Sequence, residues 1–171
     1  MPEESPTDNQ PTLPLAETPG FQKWGLIGLL IFFTIFTFDF MRTDLWFDEL
    51  LTLGDYGTQQ HLGGVFTSYE VANNHILFSA ALWTWLRVIR FVMAEEVLRF
   101  PCLLLALITI STLYIHGRRL FGNTAAYLLA VLLAFSPVFL SFFYQLRGYG
   151  LTIFLSLVAT LGAFYIIAGQ R

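Results

Sequence analysis

Charged side chains are scarce in this chain. Asp, Glu, Lys and Arg make up 12% of its 171 residues, while 56% are hydrophobic. A soluble domain of this length has no interior large enough for so much apolar surface, so a water-soluble enzyme is excluded. Basic runs are also missing, which removes nucleic acid as a partner. The one cysteine, Cys102, lies inside an apolar run, cannot form an internal disulfide and says nothing of redox compartment. The long apolar runs do not alternate with polar residues, so the spans are helices. The N-terminus lacks the basic start and short apolar core of a cleaved signal peptide. It is acidic and its first apolar run is long, so it reads as an uncleaved anchor.

What is present reads as an all-α integral membrane protein. It is a polytopic helical bundle with about four transmembrane helices and amphipathic interfacial helices in the first outside loop. Residues 1–20, rich in Pro, Glu and Thr, read as a disordered cytoplasmic tail. Residues 21–171 hold spans at about 24–41, 97–116, 123–143 and 150–169, near the roughly 17–25 residues that a crossing needs. Pro101 falls in a first turn, where proline is tolerated, and Pro137 predicts a kink late in its run.

The loop at 42–96 contains "NHILFSAALWTWLRVIRFVM". On one continuous helix Ser79, Trp83, Arg87, Arg90 and Ala94 share a side, a stripe suited to lying in the interface. A short crossing with snorkelling arginines is the alternative. Arg118 and Arg119, between two spans, mark a cytoplasmic loop. The segments 42–96 and 144–150 are then outside, and the N-terminal tail is cytoplasmic. Four spans with no closing segment are expected to be the N-terminal part of a larger protein.

Three constellations carry chemistry. In "LWFDEL", Trp46 and Phe47 anchor Asp48 and Glu49 at headgroup depth, a position that suits a general base. A plain solvated loop is the bland reading, and Asp39 and Asp44 add to the negative patch. In "VANNHILF", Asn74 and His75 are candidate substrate-binding residues, or a helix cap with an incidental histidine. In "FYQLRGYGL", Arg147 stands in an outside loop, where arginine asks for a partner. It reads as a phosphate clamp, or more blandly as a lipid-headgroup contact or half of an ion pair with Asp48 or Asp44. Gly148 and Gly150 would let a ligand approach the backbone, and Arg99 could assist Arg147. The histidines at 61, 75 and 116 have no metal-ligand spacing, so the metal requirement is unknown. Asp48 and Glu49 could contribute to a divalent ion site.

The order "LWFDE", "NNHILFSAALWTWL", "LRFPCLLLALITISTLYIHGRRLFG", "LLAFSPVFLSFFYQLRGYGL" resembles the N-terminal part of the GT-C membrane glycosyltransferases. That superfamily includes the protein O-mannosyltransferases and the aminoarabinose transferase that modifies lipid A. The likeness covers about 44–167, and many members have His-Pro-Pro where this chain has His75-Ile76-Leu77. It implies amphipathic helices on the membrane in the first outside loop and a sugar donor carried on a polyprenyl phosphate. The acceptor would be a hydroxyl on a lipid, protein or glycan, in a bacterial inner membrane. It puts the catalytic base on Asp48, with Glu49 beside it, and the donor near Arg147 and Tyr149. Two other readings stand beside it: a non-catalytic binder of polyprenyl phosphate, and a transporter fragment. The spans after residue 97 are nearly free of charge, which counts against transport.

Overall fold

The computed structural model describes residues 19–67, 75–167 and 169. Among them the chain is helical without strands. Three helices are long and apolar enough to cross a membrane: α1 (Pro19–Met41), α6 (Phe100–Phe121) and α9 (Tyr149–Ile167). Between α1 and α6 lie four short helices: α2 (Phe47–Leu51), α3 (Leu62–Thr67), α4 (Ile76–Val88) and α5 (Glu95–Leu98). A π-helical turn, Thr52–Gly57, continues α2. α7 (Asn123–Ala134) and α8 (Pro137–Phe142) follow α6.

α6 begins with Pro101 in its first turn and ends at Gly122, whose φ of 83° suits glycine. α7 returns against α6 through Ala126, Ala130 and Ala134, one turn apart and fully buried. A Cβ at Gly117 would stand 3.4 Å from that of Ala126, so small residues let the two backbones approach. The expected span at 123–143 is interrupted after Ala134. Ser136 caps α8 by accepting from the Phe139 N–H at 3.1 Å, and Pro137 cannot supply the hydrogen bond that would continue α7. The kink expected at Pro137 is thus a full break. Phe33 of α1 packs against Phe135, Phe139 and Phe143 around it.

The outer surfaces of α1 and α9 are apolar and exposed, as lipid contact requires; Phe32, Ile35, Leu155 and Ile166 are examples. α4 spans 13 residues, roughly 20 Å, short of the roughly 30 Å hydrocarbon layer. It stops at Val88. The Phe91 N–H donates to the Leu86 carbonyl, and Arg90 and Phe91 take φ of 52° and 61°. The expected stripe therefore ends with Arg87: Arg90 lies in this turn, and Ala94 caps α5. Arg87 does not reach outward. Its guanidinium lies 3.4 Å from the centre of the Trp83 ring and donates to the Gln59 and Trp83 carbonyls.

A second core, Phe78, Leu82, Leu86, Leu98, Cys102 and Leu146, joins α4 to α6 and to the segment before α9. Gly57 admits the π-helical turn to this core, since a Cβ there would meet Leu86 at 2.7 Å. This packing brings 44–49, 75 and 145–149 to one end of the bundle.

Candidate functional site

Neighbouring positions on a helix point about 100° apart. In α2 this separates the two carboxylates. Glu49 turns inward and is wholly buried, whereas the Asp48 side chain stays 49% exposed.

Glu49 is saturated. Its Oε2 accepts from the Trp46 N–H at 2.8 Å and from Arg99 Nη2 at 2.7 Å. Its Oε1 accepts from the Leu146 N–H at 2.7 Å and from Arg99 Nε at 3.2 Å. Arg99 is equally enclosed. Its remaining N–H groups donate to the carbonyls of Met41, Thr43 and Asp44, and its plane faces the Tyr144 ring at 5.3 Å. Two sequence expectations find no free polar atom to rest on here. Glu49 has no free oxygen with which to take a proton or hold a metal. Arg99 has no guanidinium edge left for a donor phosphate. Together they tie the end of α1, the start of α2 and the 144–147 segment into one unit, which fixes where Asp48 and Arg147 stand.

Those two meet directly. Arg147 Nη1 donates to Asp48 Oδ2 at 2.7 Å, and only 7% of the Arg147 side chain is exposed. The guanidinium also lies 4.9 Å from the Tyr149 ring. Its Nε is buried with no partner among the described residues. Tyr149 contacts His75 edge to face at 5.4 Å. The structure thus brings together Asp48, Arg147, Tyr149 and His75. Asn74 lies outside the described residues.

His75 sits on Gly148. A Cβ at 148 would fall 2.5 Å from His75 Cβ and Cγ, so the glycine makes room for this imidazole. Burial, and then the Arg147 charge, hold its pKa below the ordinary 6.5, so the ring is neutral at neutral pH. Its Nε2 is buried and unpartnered among the described residues. The ring borders a cavity of about 250 Å³ between the starts of α4 and α9, lined also by Phe78, Gly148, Leu151, Thr152 and Leu155. The sequence reading passed over this wall, although 148, 151, 152 and 155 recur at the spacing of one helix face. Among the described residues no group of three or more His, Cys, Asp or Glu is placed to hold a metal ion.

The family described as dolichyl-phosphate-mannose-protein mannosyltransferase matches residues 75–170, more than half of the chain. The matched stretch includes His75, Arg99, Arg147 and Tyr149. Asp48 and Glu49 precede it and join it through the contacts above. No curated protein and no solved structure matches this chain.

Proposed function

The chain belongs to the dolichyl-phosphate-mannose-protein mannosyltransferase family, and from that premise we propose a membrane glycosyltransferase with a polyprenyl-phosphate-linked sugar as donor and a hydroxyl group as acceptor. The observation that carries this reading is the half-exposed Asp48 carboxylate held at 2.7 Å by a nearly buried arginine. A base and a phosphate-seeking cation side by side are what such a transfer needs.

The chemistry would run as follows. A phosphate is a good leaving group, so the demanding step is activation of a neutral hydroxyl. Asp48 removes the acceptor proton and keeps it as a carboxylic acid. The acceptor oxygen bonds to the anomeric carbon as the bond from that carbon to the phosphate oxygen breaks, and the electron pair leaves with the phosphate. Arg147 meets the charge that grows there. Attack opposite the leaving group inverts the anomeric centre. Paired at 2.7 Å, Arg147 neutralises Asp48; an arriving phosphate competes for the guanidinium and releases the carboxylate. We propose that this end faces outward, because Arg118 and Arg119 mark the opposite end as cytoplasmic.

Sugar transfer from a prenyl-phosphate donor, followed in proteoliposomes, tests the reading. Asp48→Asn is expected to lower the rate at least about 10²-fold with helicity and membrane insertion unchanged. Full transfer by this variant would remove Asp48 as the base. Donor binding without transfer by the unaltered protein would favour the non-catalytic reading.

A further inference from the structure

Among the described residues Arg87 is a cation without a carboxylate partner. Its guanidinium is given to backbone carbonyls instead. Nη2 donates to the Gln59 carbonyl, and Nη1 to those of Gly57 at 3.4 Å and Trp83 at 2.9 Å. Trp83 Nε1 donates to the same Gln59 oxygen at 2.8 Å. Gly57 ends the π-helical turn, so α4 supplies donors to carbonyls at a helix end, where intrahelical partners run out.

The turn that closes α4 is strained at the same spot. Arg90 and Phe91 are both left-handed, at φ of 52° and 61°, a conformation that bulky side chains rarely adopt. The Phe91 ring lies 5.7 Å from the Arg87 guanidinium, whose other aromatic neighbour, Trp83, is at 3.4 Å. Backbone strain persists only where surrounding contacts over-determine it, and it clusters at functional positions.

What Arg87 grips is the far end of the segment that carries Asp48. α2 and the π-helical turn form one run from Phe47 to Gly57, and the Thr52 hydroxyl donates to the Asp48 carbonyl across their junction at 2.9 Å. Glu49 pins the start of this run through Arg99 and the Leu146 N–H. A single pin leaves a rod free to pivot and roll about it. Gly57 lies roughly 12 Å further along the run at about 1.5 Å per residue, and a second pin there removes both motions.

We infer that Arg87 is a positioning residue for Asp48: by clasping the Gly57 and Gln59 carbonyls it fixes the roll of α2 and keeps the carboxylate at Arg147. The inference rests on the base reading above and extends it to a residue on a different helix. Misplacing a reacting group by about 1 Å costs about 10²-fold in rate, so loss of one of two pins is expected to cost about tenfold.

A double-mutant cycle on kcat tests this in the full chain, reconstituted in proteoliposomes with a prenyl-phosphate sugar as donor. Arg87→Met should lower kcat about tenfold and leave the donor KM within about twofold. In the Asp48→Asn background the same substitution should change the residual rate by less than about twofold, because no base remains to be positioned. A loss of folded protein would lower the rate equally in both backgrounds; that outcome overturns the inference and leaves the base reading standing. Arg87→Lys keeps the charge at Trp83 but lacks the fork that bridges two carbonyls, so about a threefold loss is expected. Full rates from both Arg87 variants would also overturn the inference. Full transfer by Asp48→Asn removes the base, and the positioning role with it. Hydrogen exchange supplies a readout without substrate: amides 50–58 should exchange about tenfold faster in Arg87→Met, with those of 103–114 unchanged. Unaltered protection at 50–58 would mean that Arg87 does not hold this segment.

Discussion

The Glu49 carboxylate and the Arg99 guanidinium meet at 2.7 Å, fifty positions apart in sequence, with neither side chain exposed. Removing one member of such a pair leaves the other charge buried without its counter-charge, at about 3–5 kcal/mol. Glu49→Leu and Arg99→Met should each lower the unfolding temperature in detergent by several degrees. The double variant should recover much of the loss, because no charge is then stranded. A double variant as unstable as the sum of the singles would show that the pair acts through its separate backbone contacts.

Gly148 makes a sharper point about packing. Its missing side chain is the space that His75 occupies, and backbone flexibility is not the reason for it. Gly148→Ala should push the imidazole away from Tyr149 and Arg147. With transfer assayed as above, the expected result is a raised KM for donor, about tenfold, with a smaller change in kcat. A wild-type KM would mean that the ring shifts without consequence for donor binding.

How much of this was legible in the sequence differs from element to element. The helical class and the three long helices follow from uninterrupted apolar runs, which need no tertiary information. Pro137 was read correctly as a disturbance, yet its severity was not, because Ser136 had to be recognised as a cap for a new helix. Asp48 and Glu49 could not be told apart by spacing alone. Their roles diverge only when Arg99 and the Leu146 N–H arrive from distant segments to fill one carboxylate and leave the other exposed. Arg99 is opaque for the same reason, since nothing local reveals that its donors go to Glu49 and to backbone carbonyls. Gly148 was read as room for a ligand, whereas the space accommodates His75.

The contact between Asp48 and Arg147 also makes a topological prediction, since both must lie at the same membrane face. In a Cys102→Ala background, single cysteines at Asp44 and Gln145 should react with an impermeant maleimide added to one side of sealed vesicles. A cysteine at Arg118, at the far end of α6, should react only after that side is exchanged. Labelling of 44 and 145 from opposite sides would be incompatible with a shared site.

His75 gives the site a pH dependence whose sign follows from its surroundings. Burial first, and the Arg147 charge second, hold the imidazole below 6.5 in the folded protein. The unfolded chain, with an ordinary imidazole, therefore takes up the proton first as pH falls. The His75 contribution to stability is complete above about pH 6.5 and is lost as pH falls through the folded value. Unfolding temperatures measured between about pH 7.5 and 5 should decline, and His75→Gln should flatten part of that decline. The charges facing the ring make a second, independent check. Arg147→Gln removes a repelling cation and should raise the His75 titration point. Asp48→Asn leaves that cation without its counter-ion and should lower it further. Imidazole titration by NMR distinguishes these shifts, and movement of both variants in the same direction would show that Arg147 does not act on His75 through its charge.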